Sequence, residues 1–257
     1  MARKIVITSG KGGVGKTTCC AFIGLNLAML GARVVMLDVD IGLNNLDVVV
    51  GLENRVMYDI VDVVEGKCRV RQALINYPNV PLLYFLPSAH SLNVGRVTKE
   101  DLNAIINELS NSFDYILIDC PAGIGAEFYR AIYLASEAII VTTPSITAIR
   151  DANKTLSLII GCGLVDAKLI VNRVRNDLIA KKLMIKPNEI AESMDIPLLG
   201  VVQESDLITT VSSISGELLK VKDASLENFA EIAKTIHFGT KARKESGFFK
   251  KFKITRG

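Results

Sequence analysis

The 257-residue sequence is poor in several side chains that common chemistries require. It contains no tryptophan and only two histidines, His90 and His237, so we expect neither a histidine-based mechanism nor a zinc site. No apolar run reaches the length of about 18 residues that a membrane-spanning helix needs. A predicted strand begins by residue 4, so we expect no signal or transit peptide.

The cysteines also lack a functional pattern. None of the five shows C-x-x-C or Cys/His spacing; they are Cys19, Cys20, Cys68, Cys120 and Cys162. We interpret them as reduced thiols of a cytosolic protein, mostly small core residues. A carrier of a metal cluster would need thiolates that converge on one site, and no convincing second ligand accompanies Cys120.

Short β-branched runs alternate with longer amphipathic segments along the chain. This alternation is typical of a single α/β domain with a mostly parallel, twisted sheet and helices on both faces, which we expect over residues 1–238. The predicted strands are 3–8, 33–38, 82–86, 115–119, 137–142, 168–172 and 198–202. The predicted helices are 17–30, 57–65, 98–112, 126–134, 146–161, 187–193 and 224–236.

An octet after the first predicted strand matches the P-loop pattern G-x-x-x-x-G-K-[ST]. It comprises Gly10, Lys11, Gly12, Gly13, Val14, Gly15, Lys16 and Thr17, with Thr18 directly after it. Glycines let backbone N–H groups approach a phosphate, and the following helix adds its N-terminal amides. We therefore expect a nucleoside triphosphate and Mg²⁺ as ligands, with Lys16 at the β- and γ-phosphates, Thr17 on the metal and Thr18 at the α-phosphate.

Polar residues follow three other predicted strands at their carboxyl ends, where ligands bind in parallel sheets. We expect Asp119 to hold the outer shell of Mg²⁺, unless it only caps the next helix. Asp40 is the candidate to position the attacking water, with a turn aspartate as the alternative, and Asp38 is either structural or a second outer-shell group. We expect the Asn172 amide to form hydrogen bonds with the edge of adenine, with a strand-capping asparagine as the alternative. Arg173 beside it is assigned to the nucleotide.

The octet resembles the deviant Walker A motif of the MinD/ParA family of P-loop NTPases, because a second lysine follows its first glycine. The segments LDVDIGLNNLDVVVGLENRVMYDIVDVVEG and DYILIDCPAGI, with the later Asn-Arg pair, resemble the septum-site-determining ATPases of the MinD type within that family. The resemblance runs through nearly the whole chain. Where these ATPases commonly have Pro-Glu after a late strand, this chain has Gln203-Glu204.

The resemblance implies an ATP-dependent homodimer that hydrolysis dissolves. Lys11 would reach the partner subunit's nucleotide, unless it is a solvated loop lysine, and would act with Lys16 and Asp40 as a catalytic residue. Asn45 would lie near the γ-phosphate.

The resemblance also implies partners. The helix that carries Arg150 and Asp151 would face a MinC-like division inhibitor and a MinE-like or other regulator. The alternative for this pair is an exposed ion pair near the start of a helix.

The net charge of +3 is concentrated in the C-terminal segment. Residues 237–257 contain seven Lys/Arg and one Glu, so the remaining 236 residues carry −3. We expect a flexible basic linker over 239–247 and an amphipathic helix over 248–257 that binds an anionic membrane surface. Its assigned membrane-binding residues are Phe248, Phe249, Lys250, Lys251, Phe252 and Lys253. The alternative is a segment that docks on its own domain.

The sequence thus predicts a cytoplasmic ATPase that associates peripherally with the inner face of the cell membrane. A MinD-like ATPase that sets flagellar number and a ParA-like DNA partition ATPase are the alternatives. The −3 charge outside the tail does not favour binding to nucleic acid, and we expect no specific nucleic acid partner. A nucleotide kinase is disfavoured because no acceptor site or lid is evident.

Overall fold

A computed structural model describes residues 1–39, 46–88, 97–121, 123–208, 210 and 224–239 of the chain. Its strands are β1 Arg3–Thr8, β2 Val34–Asp38, β3 Ile75–Asn76, β4 Leu83–Leu86, β5 Tyr115–Asp119, β6 Glu137–Thr142, β7 Ala167–Val174 and β8 Leu198–Gln203. Its helices are α1 Lys16–Met29, α2 Leu46–Val50, α3 Ile60–Val64, α4 Val70–Ala73, α5 Lys99–Leu109, α6 Ala126–Leu134, α7 Ile146–Gly161, α8 Asn176–Ala180, α9 Pro187–Ser193 and α10 Ala224–Phe238, with a 3₁₀ turn at Glu53–Arg55.

The strands form one sheet in the order β3-β4-β2-β5-β1-β6-β7-β8. Only the pairing of β3 with β4 is antiparallel, and the other described pairs are parallel. The predicted α/β fold is therefore confirmed. β1 lies between β5 and β6, so the loop that leaves β1 opens at the carboxyl edge of the sheet, where ligands bind in such folds.

The two faces of the sheet are buried under different helices. Alternate residues of the central strands pack against α1 and α10 on one face, and the intervening residues pack against α5, α6 and α7 on the other. Phe22 of α1 and Phe229 of α10 stack with ring centroids 4.9 Å apart. None of the described helices combines the length and the apolarity that crossing a membrane requires.

The structure corrects several predicted elements. The helix predicted over 57–65 begins only at Ile60, because the Asp59 carboxylate caps it by accepting hydrogen bonds from Val61 N and Asp62 N at 2.7 and 3.1 Å. α5 likewise begins after its capping residue Thr98 and ends at Leu109, before the predicted limit at residue 112. The short elements β3, α2, α4 and α8 were not predicted, since two to five residues are too few to show a period.

A single glycine sets how closely α10 approaches the sheet. Gly200 is a buried residue of β8, and a Cβ atom there would overlap Cγ1 of Ile232 in α10. We predict that Gly200→Ala lowers the free energy of unfolding by about 1–3 kcal/mol, because the buried helix must move to admit a methyl group. Urea denaturation measures the change.

The matched control is Gly161→Ala at the end of α7, where a Cβ atom would meet nothing within 4 Å. Alanine favours helical conformation, so this variant should match or exceed the stability of the natural chain by about 0.5–1 kcal/mol. Equal stability of the two variants would show that α10 does not depend on the close approach at Gly200.

Candidate functional site

The loop between β1 and α1 has the backbone conformation that its glycines predict. Gly13 and Gly15 have φ angles of +77° and +95°, which residues with a Cβ atom rarely adopt. The Ser9 hydroxyl donates a hydrogen bond of 2.7 Å to the carbonyl oxygen of Lys11 and so fixes the first turn of the loop. This backbone turns abruptly from the buried strand into the helix.

The N-terminus of α1 is suited to an anion. The helix begins at Lys16, directly after Gly15, and its first turn contains no acidic side chain. Its first amides and the positive end of its dipole therefore face the loop, and the first turn of the helix itself offers no carboxylate to compete with a phosphate. The Lys16 side chain belongs to the same turn and is buried, with 8% of its surface exposed.

Two carboxylates lie opposite this lysine. Asp38 and Asp119 end neighbouring parallel strands and are register partners. Each aspartate is two positions after Met36 or Leu117, which pack on the α1 side of the sheet. Side chains two positions apart in a strand lie on the same face, so both carboxylates are on the α1 side. Both aspartates are almost fully buried.

A cavity of about 290 Å³ joins these groups. It brings together eight residues assigned to the nucleotide or the metal from the sequence: Gly12, Gly13, Gly15, Lys16, Thr17, Thr18, Asp119 and Arg173. Asp38, Val49 and Cys120 complete its wall. Backbone amides, a lysine, a hydroxyl and carboxylates are the donor set that a nucleotide phosphate with Mg²⁺ requires. The residues present therefore fit the expected ligand.

The pKa values of two neighbouring thiols reflect the burial and the charges around this cavity. Burial, with a smaller contribution from Asp119, raises the pKa of Cys19 to about 12, while nearby Lys16 acts in the opposite direction. Burial also raises the pKa of Cys20 well above its ordinary value, with Asp119 and Asp38 adding to the shift. Both residues are therefore protonated core thiols, as the sequence predicted.

The loop after β2 is described only in part. The Asp38 carboxylate accepts a hydrogen bond of 3.2 Å from Leu46 N, so it holds the start of α2 beside the cavity. This contact supports the structural alternative for Asp38. Asp40 and Asn45 lie outside the described residues.

Asn172 lies beside the loop and has contacts that the sequence did not indicate. Its side-chain Nδ2 donates a hydrogen bond of 2.8 Å to the carbonyl oxygen of Val14, and its Oδ1 accepts one of 2.9 Å from Arg173 N. Asn172 and Arg173 also line a second, smaller cavity next to the first, which continues to Gln203 and Phe229. Arg173 therefore reaches the walls of both cavities.

The helix that carries Arg150 and Asp151 contacts the other end of the loop. A Cβ atom on Gly10 would overlap the backbone carbonyl of Asp151, so this glycine allows α7 to lie directly against the loop. That carbonyl also accepts a hydrogen bond of 3.0 Å from the Thr155 hydroxyl. Arg150 is exposed on the same helix, in the turn after the one that Ser145 caps.

Lys11 differs from Lys16 in its surroundings. The described wall of the larger cavity begins at Gly12, and Lys11 is exposed outside it. Of the two loop lysines, only Lys16 lines this cavity.

Neither histidine was assigned to a site from the sequence. His237 lies at the opposite edge of the sheet, with Nδ1 3.0 Å from the Tyr115 hydroxyl. His90 and the six assigned residues of the tail lie outside the described residues.

We predict that Gly10→Ala weakens ATP binding by about tenfold or more, because the added methyl group must displace either α7 or the loop. Fluorescence titration with a labelled ATP measures the affinity. Gly161→Ala at the far end of α7 is the control and should bind normally. Unchanged affinity of Gly10→Ala would show that the contact with Asp151 does not set the loop geometry.

The raised thiol pKa values predict slow alkylation of the folded protein. At about pH 8, where an ordinary thiol is partly ionised, iodoacetamide should modify exposed Cys162 and spare Cys19 and Cys20. Mass spectrometry of peptides locates the modification, and denatured protein provides the control in which all five thiols react. Rapid labelling of Cys19 in the folded state would contradict the buried environment described above.

Comparisons with known proteins identify relatives of this chain. A family model described as an AAA domain matches residues 2–162. The septum site-determining protein MinD of Bacillus subtilis is 46% identical over 83% of this chain and 80% of its own length. The chain is also similar to MinD in the MinC:MinD cell division complex of Aquifex aeolicus, with a TM-score of 0.84 and 35% identity over 92% and 96% of the two chains.

A structure of MinD from Pyrococcus horikoshii, determined as a complex with Mg-ADP, aligns with a TM-score of 0.81 and 30% identity over 92% of this chain and 96% of its own. These similarities extend over the loop, the sheet and the helices of both faces. The family predicted from the sequence is therefore confirmed: this chain belongs to the MinD family of septum site-determining P-loop ATPases.

Proposed function

We propose that this protein hydrolyses ATP slowly to ADP and phosphate in a cycle that couples dimerisation to membrane binding. The ATP-bound dimer binds an anionic membrane through residues 248–257 and recruits a MinC-like division inhibitor. Hydrolysis then releases the protein, and the cycle helps to determine the position of the septum. The observation that carries this proposal is the placement of the two loop lysines, one buried in the cavity and one exposed outside it.

The two lysines have different roles in this cycle. Lys16 neutralises phosphate charge within its own subunit, where its burial, and hence a lower local dielectric, strengthens its attraction to an anion. Exposed Lys11 reaches the nucleotide of a second subunit and stabilises the charge that develops on the γ-phosphate, as an arginine finger does. ATP therefore holds the dimer together until hydrolysis removes the γ-phosphate.

The metal and the attacking water are assigned to the carboxyl edge of the sheet. Thr17 ligates Mg²⁺ and Asp119 holds its outer shell, since both line the cavity. Mg²⁺ supplies charge stabilisation to the phosphates when it is bound. Asp40 positions the water and Asn45 senses the γ-phosphate, as the family motif implies.

The tail converts dimerisation into membrane residence. Each of its three phenylalanines offers at most about 1.5–3 kcal/mol on burial, and each nearby basic residue about 1 kcal/mol at an anionic surface. Ordering a residue costs about 1–2 kcal/mol, so one tail binds weakly. Two tails on one dimer gain avidity by a factor of about 10²–10⁴. The chain thus divides into an ATPase domain at 1–238, a basic linker at 239–247 and a membrane segment at 248–257.

The partner surface is assigned to the exposed side of α7. The similar MinD of Aquifex aeolicus forms a complex with MinC, which supports a MinC-like partner for this chain. Arg150 and Asp151 lie on α7, and the Asp151 backbone lies against Gly10 of the loop. A MinE-like or other regulator that binds α7 would therefore act directly on the geometry of the phosphate-binding loop.

We predict that the full chain sediments with anionic lipid vesicles in Mg-ATP and remains in solution in Mg-ADP. A chain that ends at Glu245 should bind ATP normally and fail to sediment in either nucleotide, because it lacks the aromatic and basic residues of the tail. The matched control is a full-length variant with Phe248, Phe249 and Phe252 replaced by serine. It keeps the charge of the tail and removes only its aromatic rings. Vesicle binding by the truncated chain would contradict the assignment of the tail.

We predict that Lys11→Ala loses partner-stimulated hydrolysis and weakens the ATP dimer by about tenfold or more, because a charge-assisted contact across the interface is removed. Phosphate release and light scattering measure the two effects. Lys234→Ala on α10 is the control for the loss of one exposed lysine. Normal stimulated turnover by Lys11→Ala would rule out its role in the second subunit.

A further inference from the structure

Asn172 makes a contact with the phosphate-binding loop that recognition of a nucleobase does not require. Its Nδ2 donates to Val14 O at 2.8 Å, across 158 positions of sequence, and both residues are buried. Its Oδ1 accepts from Arg173 N at 2.9 Å. The amide is thus held at both ends before any ligand is considered.

Because the peptide bond is planar, the contact with Val14 also sets the direction of an N–H group at the phosphate site. The carbonyl of Val14 and the N–H of Gly15 belong to one trans peptide unit, so they point in opposite directions. Because Asn172 fixes the direction of the carbonyl, it also fixes the N–H of Gly15 on the opposite side. An amide at this position of the loop points at phosphate oxygens when the octet cradles a nucleotide.

The packing of Gly15 reinforces the same arrangement. A Cβ atom on Gly15 would overlap Nδ2 of Asn172, so the amide group occupies the space that a side chain would take. Gly15 also has a φ angle of +95°. The loop conformation therefore depends on the absence of a side chain at position 15 and on the presence of the Asn172 donor.

We propose that Asn172 is a positioning residue that holds the Val14–Gly15 peptide in its phosphate-binding orientation. This role rests on the proposed binding of ATP at the loop and goes beyond the assignment of Asn172 to adenine. In these two contacts the Asn172 amide uses one of its two N–H groups and one of the two lone pairs of Oδ1. The second N–H and the second lone pair remain available to a base. Asn172 lines the smaller cavity, and Gly15, against which its amide packs, lines both cavities.

The test compares two ligands that share phosphates and differ in the base. ATP and inorganic tripolyphosphate are titrated against the full chain, Asn172→Leu and Asn188→Leu, the last being a control on the exposed side of α9. A positioning role predicts that Asn172→Leu lowers the affinity for tripolyphosphate by about tenfold or more, and the affinity for ATP by at least the same factor. Loss of ATP affinity with unchanged tripolyphosphate affinity would overturn the proposal, since it would assign Asn172 to the base alone. Unchanged affinity for both would overturn it equally.

A second measurement separates local from global effects. Hydrogen–deuterium exchange without ligand should increase in residues 10–18 of Asn172→Leu and stay unchanged in β1, β5 and β6. Unchanged exchange in the loop, or an equal increase throughout the sheet, would overturn the positioning role. The natural chain is the reference for the ATPase proposal itself: failure of that chain to bind ATP would contradict the proposed function, whatever the Asn172 variant does.

Discussion

The phosphate-binding loop is confined by two close approaches of the chain, and the rest of the site depends on them. At its first glycine the loop lies against the backbone of Asp151, and at Gly15 it lies against the amide of Asn172. Neither approach leaves space for a Cβ atom. The loop is therefore fixed by α7 at one end and by β7 at the other, which orients its amides before a phosphate arrives.

Packing between helices connects the phosphate cavity to distant parts of the molecule. α1 begins at the phosphate cavity and packs along α10, where Phe22 stacks on Phe229. α10 ends at Phe238 on the edge of the sheet opposite the cavity, beside the first residues of β1 and β5. The proposed partner surface is on α7, which contacts the loop, and the proposed membrane segment follows α10, which packs on α1.

Much of the fold was predictable because its long elements carry clear patterns. β1, β5, β6, α6, α7 and α9 have the predicted limits, since β-branched runs and helical periodicity mark them. The octet, with Thr18 directly after it, also identified six of the eleven residues of the cavity wall. The contacts of Asn172 with Val14 and of Gly10 with Asp151 were not predictable, because each joins residues more than a hundred positions apart and leaves no local pattern. The capped start of α3 was missed because Met57 and Tyr58 extend its apolar pattern beyond the helix.

The central claim is that ATP holds two copies of this chain together. Light scattering of the purified full chain in Mg²⁺ with a non-hydrolysable ATP analogue, compared with Mg-ADP at the same protein concentration, tests it most directly. A dimer held by ATP should have twice the 27.9 kDa mass of one chain with the analogue and the mass of one chain with ADP. The same mass in both nucleotides would contradict it.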